Sequence, residues 1–150
     1  MARPKPPLTG ACLCGAVQVT VTAPPLLTLA CHCGGCKKLA ASAFSLTTMV
    51  PKDGFACTGD VIKGGLQQGG RHHYFCKSCL NFVFSEIEGA EFRVNLRTSV
   101  LDDAASFPPF VEVMVDQKLS WVDVQAQHSF DALPESLEVL QILMDAYSKQ

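Results

Sequence analysis

The chain has 150 residues, 48% of them hydrophobic and 17% charged, which is the composition of one globular domain large enough to bury a core. Twelve basic and fourteen acidic residues give a formal net charge of -2, which excludes the basic surface of proteins that bind nucleic acid or anionic lipid by charge. No apolar run approaches the ~18 residues of a membrane helix, and the proline-rich start lacks the apolar stretch of a secretory signal, so we expect no membrane contact and a cytoplasmic protein.

Strand patterns dominate the chain. Val17, Val19 and Val21 alternate with polar residues, which predicts a strand with one exposed face. Further strands are predicted where β-branched and aromatic residues are frequent, over residues 43–50, 80–87, 92–97 and 110–115. Glycine and proline turns separate these segments, so the pattern predicts a mainly β, mainly antiparallel domain.

One amphipathic helix is predicted at the end of the chain, over residues 134–150. Pro134 and Glu135 suit its first turn. Four larger apolar residues then recur at helical spacing, namely Leu140, Leu143, Met144 and Tyr147. We expect this stripe to pack on its own domain, and the alternative is that it covers a partner subunit in a homodimer.

The eight cysteines are the feature that departs most from an ordinary composition. They form three close groups and one isolated residue: Cys12 with Cys14, then Cys31, Cys33 and Cys36, then Cys57 alone, then Cys76 with Cys79. Cysteines one or two residues apart bridge each other only with strain, whereas the same spacing lets thiolates converge on one cation. The pattern therefore favours metal over disulfides, and the two separated pairs together can complete a closed, structural four-thiolate zinc site.

The middle group supplies three thiolates within six residues, and three protein ligands with an open fourth position is how catalytic zinc is held. Two closed zinc sites need eight ligands and the three groups provide seven, so either Cys57 or an exchangeable group fills the gap. Cys57 lies outside any chelating spacing, and we expect a buried structural thiol, with a fourth ligand or a redox thiol as alternatives. His32 lies between two cysteines and is expected to form a hydrogen bond rather than bind the metal.

A zinc ion already bound by three thiolates suits a thiol as its fourth ligand. Coordination would hold that thiol as a thiolate near neutral pH, the form that adds to a carbonyl carbon. A peptide-like thiol also needs contacts for its carboxylates, and Lys37, Lys38 and Arg71 are the candidate cations beside the cysteine groups. His72 and His73 are consecutive in an extended stretch, so at most one of them faces any one pocket.

Five stretches of the chain occur together: GACLCGAV at residues 10–17, CHCGGCKK at 31–38, FCKSC at 75–79, LDD at 101–103 and LSW at 119–121. In this combination they resemble the glutathione-dependent formaldehyde-activating enzyme family, which also includes centromere protein V. The resemblance implies a zinc-binding β-tent domain of stacked antiparallel sheets over residues 8–133. It also implies two zinc ions per chain, a structural one on Cys12, Cys14, Cys76 and Cys79 and a second one with an exchangeable fourth ligand on Cys31, Cys33 and Cys36.

The activity that the resemblance implies is that of a carbon-sulfur lyase. Such an enzyme joins or cleaves a thiol-carbonyl adduct such as S-(hydroxymethyl)glutathione, with glutathione as co-substrate and a small carbonyl such as formaldehyde as its partner. The alternative is a non-catalytic, zinc-stabilised binding module, as the centromere-protein branch suggests.

Two positions depart from the pattern of that family. Leu80 replaces the usual glycine after the last cysteine pair, and we expect Asn81 to adopt the left-handed conformation instead. Ala41-Ser42 replaces the usual glycine-serine after the middle group. The residues Asp102, Asp103 and Trp121 match family positions, although loop capping and core packing suffice to explain them.

Overall fold

The structure is a computed structural model that describes residues 3–66, 69–134 and 136–150. Strands dominate these residues and two α-helices accompany them. The strands are β1 Leu8–Ala11, β2 Gln18–Val21, β3 Leu27–Cys31, β4 Ser45–Pro51, β5 Phe55–Thr58, β6 Val61–Gly64, β7 Arg71–Cys76, β8 Phe82–Ile87, β9 Arg93–Arg97, β10 Val111–Val113 and β11 His128–Phe130. The helices are α1 Gly34–Ala40 and α2 Leu137–Ser148.

The chain divides into two compact units. The first comprises Met1–Pro25 and Thr48–Phe107, and the second comprises Leu26–Thr47 and Pro108–Gln150. The boundary between them falls inside β4. The division into a domain at residues 8–133 and a separate terminal helix stays a prediction.

The first unit contains two sheets that share one core. One sheet has the order β1-β2-β5 with antiparallel pairs, and the other contains β4-β9-β8-β7-β6, in which β6 to β9 pair antiparallel. Val19 and Val21 of β2 contribute to the same apolar cluster as Phe84 of β8 and Leu96 of β9. The predicted alternation is confirmed, since Val17, Val19 and Val21 are buried while Gln18 is exposed. The prediction of a mainly β fold with two sheets is therefore confirmed, and the pairs given for this unit are antiparallel.

The second unit contains the order β11-β10-β3-β4, and its strand pairing differs from the antiparallel pattern. β10 runs parallel to both β3 and β11. Parallel neighbours require a long connection between them, and about 80 residues separate β3 from β10 in the chain. Spacing and alternation within a strand carry no information about this direction, so the sequence did not predict it.

Helix α2 belongs to the second unit, and part of its apolar stripe is buried. Leu143 and Tyr147 are buried, and the ring of Tyr147 lies 5.4 Å from that of Phe110 between centroids. The predicted start at Pro134 is wrong, because the helix begins at Leu137 and the hydroxyl of Ser136 accepts a hydrogen bond from the amide of Val139 at 3.3 Å. The other predicted first-turn residue, Glu135, lies outside the described residues. No helix in the described stretches has both the length and the apolar character to cross a bilayer.

Candidate metal centres

Four sulfur atoms in the first unit converge where two turns meet. Cys12 and Cys14 lie between β1 and β2, Cys76 ends β7, and Cys79 lies in the turn before β8. The Cys12 and Cys14 sulfurs are 3.7 Å apart, those of Cys14 and Cys76 are 3.8 Å apart, and all four lie within 4.8 Å of one another. A tetrahedral ion with zinc-sulfur bonds of about 2.3 Å requires sulfur-sulfur separations of about 3.8 Å. The four residues therefore suit zinc, and we call them the four-sulfur cluster.

Backbone amides in the four-sulfur cluster donate to its sulfurs. The Val17 amide lies 3.2 Å from the Cys12 sulfur and the Cys79 amide 3.5 Å from the Cys76 sulfur. Burial raises the pKa of Cys12, but the hydrogen bonds from Val17 and the neighbouring cysteines outweigh it and lower that pKa to about 6. The amide of Ala16 acts to lower the pKa of Cys14, yet burial and the neighbouring sulfurs raise it to about 11. The opposite shifts of Cys12 and Cys14 fit neighbouring thiols that compete for ionisation, and a bound cation would favour the thiolate form of both.

The residues after the last cysteine pair join the two turns of the four-sulfur cluster. The amide of Leu80 donates to the Cys76 carbonyl at 2.9 Å, and the side-chain oxygen of Asn81 accepts the amide of Leu13 at 2.9 Å. Leu80 has a φ of 58° and takes the left-handed conformation, so the assignment of that role to Asn81 is wrong. Ala41, the residue after α1, is also left-handed, with a φ of 48°. Leu80 and Ala41 therefore replace the family's glycines at two positions where the backbone is left-handed, a conformation that glycine adopts without steric cost.

We expect Leu80→Gly and Ala41→Gly each to raise the free energy of unfolding by up to about 1 kcal/mol, because relief of left-handed strain exceeds the extra chain entropy of glycine. Leu80 is 63% exposed, so its removal loses little burial. Urea unfolding of zinc-loaded protein measures the change. Ala40→Gly is the control, since residue 40 lies in α1 and glycine should destabilise it. A lower unfolding midpoint for Leu80→Gly would contradict the strain argument.

The second unit holds a cluster of three sulfurs, from Cys31, Cys33 and Cys36, which also lie within 4.8 Å of one another. Cys31 ends β3, Cys33 caps the N-terminus of α1, and the Cys36 amide donates to the Cys33 sulfur at 3.3 Å. No fourth histidine, cysteine or carboxylate from the described stretches joins this group. We call it the three-sulfur cluster, and its soft donors again suit zinc.

Ionisation of the three-sulfur cluster depends on a positive partner. A hydrogen bond with the Cys36 sulfur raises the pKa of Cys31 most, followed by burial and the negative charge of Cys36. Three neighbouring thiolates therefore repel one another in a partly buried site. A divalent cation would offset this repulsion, so the cluster suits metal binding.

A buried carboxylate lies beside the loop of the three-sulfur cluster. Glu112 of β10 is 5% exposed and accepts hydrogen bonds from His32 at 2.9 Å, Lys118 at 3.0 Å and Ser129 at 2.7 Å. Burial acts to raise the pKa of Glu112, but the hydrogen bonds from Ser129, Lys118 and His32 outweigh it and lower that pKa. The prediction that His32 forms a hydrogen bond near the site is confirmed. Sequence reasoning missed Glu112, although a single acid inside the apolar stretch 110–115 was the available signal.

The turn after β10 holds the same loop from its other side. The His32 amide donates to the Val113 carbonyl at 3.1 Å, and the Gly34 amide donates to the side-chain oxygen of Gln117 at 3.1 Å. The ammonium of Lys37 donates to the Gln117 carbonyl at 2.7 Å. The residues around the three-sulfur cluster are therefore anchored at the end of β3 and at the start of α1.

A family model described as glutathione-dependent formaldehyde-activating enzyme matches residues 7–117, a range that contains both sulfur clusters and Glu112. The chain belongs to this family. The family resemblance of the sequence is therefore confirmed, and the chain is a member of the glutathione-dependent formaldehyde-activating enzyme family with two cysteine clusters suited to zinc.

Two further comparisons concern whole proteins. No curated protein is significantly similar to this family member in sequence. A crystal structure of a Rhodobacter sphaeroides protein is similar with a TM-score of 0.52 at 13% identity, covering 81% of this chain and 98% of that chain. At that identity the similarity shows the fold alone.

The remaining candidate residues of this family member lie outside the clusters. Lys38 is exposed in α1, and Arg71 is exposed at the start of β7 in the first unit. Cys57 of β5 is half-buried and belongs to neither cluster. Burial raises the pKa of its thiol. Core packing does not explain Trp121, which is 75% exposed. A capping role does fit Asp102, whose carboxylate accepts the Thr9 hydroxyl at 2.7 Å.

Proposed function

We propose that this family member is a zinc-dependent carbon-sulfur lyase that forms or cleaves the adduct of a small thiol and a small carbonyl. The adduct of glutathione with formaldehyde, S-(hydroxymethyl)glutathione, is the proposed example. The observation that carries the proposal is the three-sulfur cluster, in which three protein sulfurs converge without a fourth ligand from the described residues. The family description supports the choice of glutathione and formaldehyde.

The chemistry is a reversible addition. In the forward direction the thiol S–H bond breaks, a bond forms between that sulfur and the carbonyl carbon, and the proton ends on the former carbonyl oxygen, so no oxidant or reductant is needed. Zinc bound by the three-sulfur cluster would supply a soft Lewis acid that favours the thiolate form of the incoming thiol near neutral pH.

The chain's own residues hold this site in place. Cys31, Cys33 and Cys36 are the proposed zinc ligands, and His32 and Glu112 fix the loop that carries them. Because the loop is bonded on both sides, the three sulfurs keep their separation when a fourth ligand enters or leaves. The fourth coordination position beside the three sulfurs is thereby preorganised for exchange of its ligand.

Binding of the thiol substrate also requires partners for its carboxylates. Lys37 and Lys38 of the second unit are the proposed contacts, since each carries a cation that can donate to a carboxylate, while the contact expected of Arg71, which lies in the first unit, stays a prediction. Lys38 is exposed, whereas Lys37 would have to release the Gln117 carbonyl. A homodimer and a cytoplasmic location remain predictions.

We expect Cys33→Ser to give folded protein with one zinc instead of two and no acceleration of adduct formation. The loss follows because two sulfurs cannot hold the ion as three do, while the four-sulfur cluster in the other unit is untouched. Zinc content is measured by elemental analysis, and the rate by two-dimensional exchange NMR of glutathione with formaldehyde, above the uncatalysed background.

Cys57→Ser is the matched control, because it removes a thiol outside both clusters and should keep two zinc ions and the full rate. Wild-type protein with two tightly held zinc ions, no response to glutathione and no acceleration would contradict the lyase proposal. That result would favour the non-catalytic binding module.

A further inference from the structure

The sheet of the first unit carries a polar patch on the face opposite its core. In the antiparallel register Ser85 of β8 lies directly opposite His73 of β7 and Asn95 of β9. Directly opposite residues project from the same face, and alternate residues along a strand do so as well. By this rule the face, which we call the cationic face, carries Arg71, His73, Ser85, Ile87, Arg93, Asn95 and Arg97.

The guanidinium of Arg93 and the ring of His73 are positioned by their neighbours on this face. The guanidinium of Arg93 donates to the side-chain oxygen of Asn95, and its Nε is buried with no hydrogen-bond partner among the described residues. His73 is half-buried, and its Nδ1 lies 2.8 Å from the hydroxyl of Ser85. When the Ser85 hydroxyl donates to Nδ1, the ring carries its own hydrogen on Nε2, which is then a donor for a ligand.

The electrostatics of the cationic face point the same way. Burial lowers the pKa of Arg93, and the positive charge of Arg71 lowers it further. Burial also lowers the pKa of His73, with the charges of Arg97, Arg71 and His72 as further causes. These shifts indicate that Arg93 and His73 are partly desolvated and lie close to further positive charge.

Three carboxylates, those of Glu86, Glu88 and Glu91, line one pocket with Arg93, and each has another partner. Glu91 accepts a hydrogen bond from the Gly89 amide at 2.7 Å. Glu86 projects from the opposite face by strand alternation and pairs with Lys52 at 3.0 Å, and Glu88 pairs with His72 at 2.9 Å. Throughout residues 3–66, 69–134 and 136–150, no carboxylate lies within ion-pair distance of the guanidinium of Arg71 or Arg93. Arg93 is partly buried and has no carboxylate within that distance, so a bound anion would offset the cost of burying its charge.

We propose that the cationic face binds a small oxyanion, a carboxylate or a phosphate group, between Arg71, Arg93 and His73. Two guanidinium forks can each donate to a pair of oxygens, which suits this ligand class better than a spherical halide. The site belongs to the first unit and does not rest on the zinc chemistry proposed for the three-sulfur cluster. Failure of one proposal therefore leaves the other in place.

Isothermal titration calorimetry of the full zinc-loaded chain with inorganic phosphate and with succinate, in chloride buffer of matched ionic strength, tests the proposal. We expect saturable binding of at least one of the two, weakened about tenfold or more by Arg71→Gln and by Arg93→Gln, which corresponds to about 1.4 kcal/mol. Arg71 is exposed, so its variant should fold even if the Arg93 variant does not. Lys63→Gln is the control, since Lys63 pairs with Tyr74 and projects from the other face.

Each outcome of the titrations either decides whether the cationic face binds an anion or identifies the class of anion that it binds. Binding of phosphate alone assigns a phosphate ligand, and binding of succinate alone assigns a carboxylate. The absence of saturable binding for both anions would overturn the proposal. An equal loss of affinity in Lys63→Gln and Arg71→Gln would also overturn it, because the effect would then come from net charge rather than from this face.

Discussion

Replacement of Cys76 by serine is expected to leave most of the protein insoluble. Cys76 is fully buried at the end of β7, and its sulfur lies 3.8 Å from that of Cys14 across 62 positions in the chain. A structural zinc site contributes about 10–16 kcal/mol to the folded state, which is comparable to the whole stability of an ordinary domain. Removal of one ligand from a long-range link should therefore prevent folding. The soluble fraction after expression, far-ultraviolet circular dichroism and zinc content measure the effect.

Two other cysteine variants make this result specific. Cys57→Ser should stay soluble with unchanged zinc content, because Cys57 belongs to neither cluster. Cys33→Ser should stay soluble with one zinc ion. If Cys33→Ser misfolds while Cys76→Ser remains soluble, the structural and exchangeable roles of the two clusters are reversed. A drop to one zinc ion in Cys57→Ser would make Cys57 the missing fourth ligand.

Replacement of Glu112 by alanine is expected to lower the free energy of unfolding by about 3–5 kcal/mol. The change removes the acceptor of three hydrogen bonds and leaves His32, which is 0% exposed, and the partly buried Lys118 without their carboxylate. Because His32 lies between Cys31 and Cys33, we also expect the three-sulfur cluster to release zinc to a chelator faster. Urea unfolding measures the first effect, and chelator-driven zinc release measures the second.

The four-sulfur cluster serves as an internal reference in this experiment, since it lies in the other unit and should release its zinc at an unchanged rate. Glu112→Gln keeps the side-chain shape and one oxygen acceptor, so it should restore part of the stability and slow the release again. Glu138→Ala removes an exposed acid from α2 and should change the free energy of unfolding by less than about 0.5 kcal/mol. Equal acceleration of zinc release from both clusters by Glu112→Ala would show that Glu112 acts on stability alone.

Local patterns in the chain predicted the parts of this protein that obey local rules. Alternation predicted β2 and β9, and the period of the apolar residues predicted α2. Metal ligation demands short spacings, so the cysteine groups were recognisable from the order of the residues alone. The four-sulfur cluster was predictable for the same reason, because each of its two pairs is a local motif.

Other features depend on residues that are distant in the chain. The bond between His32 and Glu112 spans 80 positions, and the parallel pairing of β10 with β3 creates it. One error of prediction was local instead: residue type favoured Asn81 for the left-handed position, but Leu80 takes it in the turn where its amide donates to the Cys76 carbonyl. The pair Arg71 and Arg93 arises only when β7 and β9 flank the same strand.

Residue patterns were therefore sufficient to predict the mainly β fold and the groups of sulfur ligands, because periodicity and chelation are short-range properties of a chain. The combination of motifs indicated the family by resemblance. The buried partners of the three-sulfur loop, the strand directions and the cationic face came from long-range pairing. Hydrogen bonds and charges act through space, and a single sequence does not encode in any local pattern which distant segments will meet.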